Sequence, residues 1–185
     1  MKTSDYVKAI LNELSEHSPA IQDKQAERLV SSILASRKVF VAGAGRSGLM
    51  GKSFAMRLSH IGVKAYVIGE TNTPSFTEED LLIVGSGSGR TETLLVLAKK
   101  AKEICGKVAS FTLTAESPLA DQSDQVILLS GAPKDQQEGS HHTIQPMGSL
   151  FEQSLLLTYD AVLLRLMEMK ELDTHTMYGH HANLE

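Results

Sequence analysis

The spacing of apolar residues changes several times along the chain, and each change marks an element. Residues 3 to about 35 have helical spacing, with Ala26, Leu29, Val30, Ile33 and Leu34 on one stripe. Ser18-Pro19 divides this stretch into two helices, because proline ends one helix and can begin the next. Val39-Phe40-Val41-Ala42 is an unbroken apolar run of strand length, and a helix to about His60 follows it. Further strands are predicted at 64–68, 81–84, 107–112 and 125–129. Between the third and fourth strands, Leu94, Leu97, Ala98 and Ala101 share one helix face. Ser117 to Ala120 reads as a short helical turn. A polar loop spans 130–148, a long apolar helix runs from Leu150 to about Lys170, and a tail follows from Asp173.

Strands that are apolar throughout are covered on both faces, and their alternation with helices implies a parallel sheet. The expected fold is α/β: a three-layer αβα sandwich of Rossmann or flavodoxin type around a five-stranded, mainly parallel sheet. One domain, 1–185, is expected to comprise N-terminal helices (1–36), a sheet core (37–130) and a C-terminal helix with its tail (149–185). The apolar stripe at residues 26–34 is expected to serve packing or subunit contact.

Composition narrows the partners. With 42% hydrophobic and 22% charged residues the chain reads as globular, and its net charge of -4 without a dense basic block argues against nucleic acid. A single cysteine, Cys105, allows no internal disulfide and fits a reducing compartment. No apolar run approaches the roughly 20 residues of a membrane span, and no apolar core follows Lys2 to Asp5 as a signal peptide would require. The expectation is a cytoplasmic protein.

Two glycine turns carry the candidate chemistry. The second, Gly85-Ser86-Gly87-Ser88-Gly89-Arg90-Thr91, joins a buried strand to a helix N-terminus. Helix-start amides without intrahelical partners attract an anion, and the hydroxyls of Ser86, Ser88 and Thr91 add donors for phosphate oxygens. The first, Gly43-Ala44-Gly45-Arg46-Ser47-Gly48, matches the dinucleotide fingerprint, with Glu70 beyond the next strand as a candidate ribose ligand. Against a nicotinamide cofactor stands the second turn, which a dinucleotide leaves unexplained. If both turns lie at one sheet edge they converge on one small phosphorylated molecule.

These two turns and the strand-helix order resemble the sugar isomerase (SIS) domain family. Phe54-Ala55-Met56-Arg57-Leu58-Ser59-His60, Pro146-Met147-Gly148-Ser149-Leu150-Phe151-Glu152-Gln153 and His181-Ala182-Asn183-Leu184-Glu185 resemble its 6-phospho-3-hexuloisomerase branch. Gly85 departs from the pattern, since an aliphatic residue often ends that strand. The resemblance implies interconversion of D-arabino-hex-3-ulose 6-phosphate and D-fructose 6-phosphate, downstream of 3-hexulose-6-phosphate synthase in the ribulose monophosphate route of formaldehyde fixation. It also implies a homotetramer with sites between subunits, and no cofactor. A sugar-phosphate sensor without turnover is the alternative from within the same family.

Moving a carbonyl between C2 and C3 through a cis-enediol needs one base that serves both carbons, and a buried carboxylate suits this task. Glu152, between Leu150-Phe151 and Leu155-Leu156-Leu157, is the candidate. His60 is the candidate second catalytic group; roughly 20 Å along its helix from Ser47 it does not easily reach its own chain's phosphate turn, but it could enter a neighbour's site. His180 and His181 are alternatives. Gly45, Arg46, Ser47, Ser86, Gly87, Ser88, Gly89, Arg90 and Thr91 are expected to bind substrate, Arg46 and Arg90 through its phosphate. Glu92 reads as a helix N-terminal acid. His141-His142 and His180-His181 lack an evident third ligand, so no metal is expected.

Overall fold

The computed structural model describes residues 1–17, 22–132 and 143–179. Two helices lead, α1 (Thr3–His17) and α2 (Asp23–Ala35). An alternating series follows: β1 (Val39–Gly43), α3 (Gly45–His60), β2 (Ala65–Val67), β3 (Leu81–Gly85), α4 (Glu92–Glu103), β4 (Lys107–Thr112), α5 (Pro118–Asp121) and β5 (Gln125–Leu128). The long α6 (Ser149–Met169) and a short α7 (Thr174–Tyr178) close the described chain. Residues 174–178, which the sequence places in the tail, thus make a helical turn and a half.

All four strand pairs are parallel, in the order β2-β1-β3-β4-β5. Alternate residues within the apolar strands feed two cores. Val39, Val41, Leu81, Ile83, Ala109, Phe111 and Ile127 face the cluster shared with α2, α3 and α6. Phe40, Ala42, Leu82, Val84 and Val108 face the opposite cluster, closed by Leu94, Ala98 and Ala101 of α4 and Leu119 of α5. Three layers result, as the double-sided apolar pattern requires. Burial of the roughly thirty apolar side chains involved is the main stabilising term, at about 25 cal/mol per Å².

Of the two roles expected for the stripe of α2, packing within the chain is the one the structure shows. Leu29, Val30 and Ile33 are buried in this chain's own core, while Leu34 at the edge remains exposed. Their partners include Val162, Leu163 and Leu166 of α6.

The order of strands reverses between β1 and β3: after β1 the chain moves outward to β2, then returns to β3 on the other side. Helices leaving the two neighbours therefore depart to opposite faces, and a crevice opens at the carboxyl ends of β1 and β3. In register, Gly43 stands beside Gly85. Both glycine turns accordingly emerge side by side at this crevice.

Candidate active site

The first turn is built for close approach. A Cβ on Gly48 would stand 2.6 Å from the Gly43 carbonyl oxygen, and one on Gly43 would stand 2.9 Å from the Gly48 nitrogen. Two missing side chains thus let α3 begin directly on the end of β1. Ser47, in its first turn, is buried and lines the cleft.

Backbone bonds to the β4 side tie down the second turn. The Ser86 amide donates to the Phe111 carbonyl at 2.9 Å, and the Gly87 carbonyl accepts from the Leu113 amide at 3.0 Å and from Thr112 Oγ1 at 3.1 Å. The Gly89 carbonyl accepts from the Leu119 amide at 3.1 Å. Gly89 has φ +61, and a Cβ there would collide with Ser117, so both conformation and space demand glycine. Fixed in this way, the amides of Gly87, Ser88 and Thr91 meet no acceptor among the described residues. Thr91 caps α4 without a side-chain cap bond, and its Oγ1 is 3.4 Å from Ser86 Oγ. Ser88 is exposed, with its Oγ accepting from the Arg90 amide at 3.3 Å. Free amides, three hydroxyls and a helix N-terminus thus line one cleft, an arrangement chemically suited to an anion of phosphate size.

A cleft of about 260 Å³ lies over this turn, lined by Ser47, Ser86, Gly87, Ser88, Thr91 and Glu152 together with Phe151, Leu113, Leu94 and Ala132. Glu152 enters from the first turn of α6 and is only 5% exposed. Its Oε2 is 3.0 Å from the Arg46 guanidinium, whose NH1 also donates to Ser149 Oγ at 2.8 Å. No hydrogen bond among the described residues engages Glu152 Oε1.

Gly85, the departure noted in the sequence, explains how α6 reaches this position. A Cβ at Gly85 would be 2.9 Å from Leu155 Cδ2 and 3.3 Å from the Tyr159 hydroxyl. Glu152, Leu155 and Tyr159 lie on one face of α6, at i, i+3 and i+7. The missing side chain on β3 therefore lets that face settle on the strand end, which carries Glu152 to the cleft. Tyr159 is fully buried, stacked on Phe54 at 4.3 Å and edge-on to Phe111 at 4.9 Å. Burial pushes its phenol above its ordinary value, and its hydroxyl has no hydrogen-bond partner among the described residues.

Of the residues expected from sequence, Ser47, Ser86, Gly87, Ser88, Thr91 and Glu152 converge on the cleft. Gly45 and Gly89 shape the turns through positive φ. Two expected phosphate ligands stand elsewhere in this structure. The Arg46 guanidinium reaches across to Glu152 and Ser149 instead of the phosphate turn, and Arg90 is exposed outside the cleft lining. His60 is buried at the C-terminal end of α3, with Nδ1 3.5 Å from Arg57 NH1. That end lies about 22 Å along the helix from the cleft, so His60 is no part of this chain's own site. Glu70 is held by Lys52 at 2.6 Å, which leaves it no lone role as a ribose ligand. His141, His142, His180 and His181 lie outside the described residues, and among the described residues no three His, Cys, Asp or Glu converge. No described helix is long and apolar enough to cross a membrane. Sequence reasoning missed Leu113 and Ala132 as wall residues; their only signal is position past β4 and β5, the two strands beyond β3 in the sheet, which requires the strand order.

A parallel sheet with two glycine turns side by side at its reversal point, and a buried carboxylate above them, defines an α/β domain of the kind that carries a ligand cleft at the carboxyl ends of its strands. The SIS domain model matches residues 32–157, and the chain belongs to the SIS domain family. Among curated relatives, the 3-hexulose-6-phosphate isomerase of Bacillus subtilis is 56% identical over 185 residues, covering 100% of both chains. The protein of that name from Mycobacterium gastri is 39% identical, covering 95% of this chain and 88% of its own. A solved structure from Methanococcus jannaschii, with an inferred function of 3-hexulose-6-phosphate isomerase, superposes with a TM-score of 0.84 at 34% identity. It covers 98% of this chain and 99% of that one.

Proposed function

We propose that this chain is a ketose-phosphate isomerase interconverting D-arabino-hex-3-ulose 6-phosphate and D-fructose 6-phosphate. The observation that carries the reading is the position of Glu152, buried and ion-paired, in the same cleft as the Ser86–Thr91 turn. Full-length identity of 56% to a relative of that activity supports the choice of substrate.

In this reading the 6-phosphate sits on the turn, against the free amides of Gly87, Ser88 and Thr91 and the hydroxyls around them. The sugar chain then extends toward Glu152 along the wall of Phe151 and Leu113. Toward fructose 6-phosphate, Glu152 takes the proton from C2. The electron pair of the C2–H bond forms the C2=C3 double bond, and the carbonyl pair moves onto the C3 oxygen. The product is a cis-enediolate. The same carboxyl returns its proton to C3, while the proton of the C2 hydroxyl passes to the C3 oxygen and C2 becomes the carbonyl. Electrons balance within the substrate, so the reaction calls for no redox partner. Arg46 holds Oε2 and leaves Oε1 for the proton. A group that moves protons between the two oxygens completes the chemistry. His60 of a neighbouring subunit in a homotetramer takes that role in our reading, and the protein acts in the cytoplasm after the synthase that makes the 3-hexulose phosphate.

A ligand sensor would bind the same phosphate and leave Glu152 without work. Proton NMR of fructose 6-phosphate with the protein in D₂O separates the two readings. Deuterium at C3 of recovered fructose 6-phosphate, with signals of the 3-hexulose phosphate, is the expected result. Binding without exchange refutes catalysis and leaves the sensor.

A further inference from the structure

No residue of α1 from Thr3 to Glu16 is buried, yet this helix supplies a carboxylate that accepts three hydrogen bonds from elsewhere in the chain. Glu13 accepts three hydrogen bonds from one short segment: Thr143 Oγ1 at 2.6 Å, the Ile144 amide at 2.7 Å and Gln145 Nε2 at 2.9 Å. That segment leads straight into α6, and its Gln145 is buried.

The start of α6 needs such support. Its cap residue, Gly148, offers no side-chain bond. Met147, just before it, holds φ at 54° in the left-handed region, a conformation that costs a non-glycine residue free energy and persists only when its surroundings impose it. The Gly148 carbonyl in turn accepts the Glu152 amide at 3.0 Å. A short covalent and hydrogen-bonded path therefore joins Glu13, through Gln145 and Gly148, to the carboxylate in the cleft. The phosphate turn has no part in this path, being fastened to β4 and α5.

We propose that Glu13 is a positioning residue for the reaction: its carboxylate clamps residues 143–145 and thereby sets the first turn of α6 that aims Glu152. The inference rests on the reaction assigned above. A misplacement of a catalytic group by about 1 Å costs on the order of 10²-fold in rate, whereas the phosphate handle is unaffected by this clamp. Loss of Glu13 should consequently fall on kcat and spare KM.

The test compares Glu13→Ala, Glu13→Gln and Leu14→Ala, the last removing a half-buried neighbour on α1 that makes none of these hydrogen bonds. With fructose 6-phosphate, well below each variant's melting temperature, Glu13→Ala is expected to lower kcat by about 10- to 100-fold. KM and inhibition by inorganic phosphate should stay within about twofold of the wild type, Glu13→Gln should recover part of the rate, and Leu14→Ala should keep it. Amide hydrogen exchange read without substrate supplies the second arm: the Ile144 and Glu152 amides should exchange faster in Glu13→Ala. Unchanged exchange, an unchanged kcat, a loss carried by KM, or an equal loss in Leu14→Ala overturns the proposal. If the wild type turns over no ketose phosphate while the exchange result holds, the clamp stands as structure and the assigned reaction fails.

Discussion

Replacing Arg46 by Gln tests the point at which the structure most changes the expected chemistry. From sequence, this arginine is a phosphate ligand; in the structure its NH1 bridges Glu152 Oε2 at 3.0 Å and Ser149 Oγ at 2.8 Å. Coulomb attraction at that separation is about 5 kcal/mol at an effective dielectric of 20 and little more than ~1 kcal/mol in water. Because the Arg46 side chain is 53% exposed, water screens the pair, and a net value of about 1–2 kcal/mol is the appropriate scale. If that energy holds Glu152 in its reactive position, its loss appears as a fall in kcat of about 5- to 30-fold.

Steady-state turnover and competitive inhibition by inorganic phosphate, measured on the same preparations, decide between the two roles. The expected pattern is the stated loss in kcat with the phosphate inhibition constant changed by less than about twofold. Arg46→Lys should recover only part of the rate, since an ammonium lacks the planar fork of the guanidinium. A kcat that holds while phosphate inhibition weakens about tenfold would show that Arg46 swings to the phosphate when ligand binds. The ion pair to Glu152 would then be a resting arrangement only.

Glu152→Gln should lower kcat by about 10²–10⁴-fold and abolish solvent exchange while phosphate inhibition persists; at equal mixing with inactive His60→Ala, about a quarter of shared sites should regain both residues, and no regained activity would place the two in separate sites. Tyr159→Phe should leave the urea midpoint unchanged or raise it, because the removed hydroxyl is buried without a partner among the described residues; a loss above ~1 kcal/mol would reveal a hidden partner. At Asp124, burial opposes ionisation, but hydrogen bonds from Lys102 and the Val108 amide outweigh it and hold the carboxyl below its ordinary value. A depressed folded-state value stabilises the fold above the unfolded value of about 3.9 and is lost as pH falls through the folded one. Asp124→Asn should therefore flatten the fall in melting temperature below about pH 4, and an unchanged acid limb would refute this.

Much of this arrangement was legible in the sequence because strand and helix periods are local. The strand at 107–112 is found where the pattern predicts it, and helix boundaries at 60 and near 170 fall within a residue or so of the observed ends. Both glycine turns announced themselves, since glycine adopts the left-handed φ found at Gly45 and Gly89 at the least cost. What was not legible depends on contacts distant in sequence. The stripe of α2 has the same helical spacing whether it meets another subunit or α6. Arg46 looks like a phosphate ligand until α6 is known to cross above it. Glu13 carries no motif at all, and its partners lie about 130 residues away.

Gly85 shows why a departure from a family's usual residue can be informative without being disruptive. It is registered beside Gly43 at the reversal of strand order, so the floor of the crevice lacks side chains on both strands. On β1 the vacancy is taken by backbone, as α3 starts immediately; on β3 it is taken by Leu155 and the Tyr159 hydroxyl of α6. An aliphatic residue at 85 would meet Leu155 at less than contact distance and push α6 outward, unless smaller residues stood at 155 and 159. The large pair at 155 and 159 and the glycine at 85 are thus one volume-matched set, of the kind that tolerates exchange only when its members change together. Since Glu152 precedes Leu155 by three residues on the same helix face, this set also determines how far the carboxylate stands from the phosphate turn. Packing in the core and geometry at the site are here the same constraint.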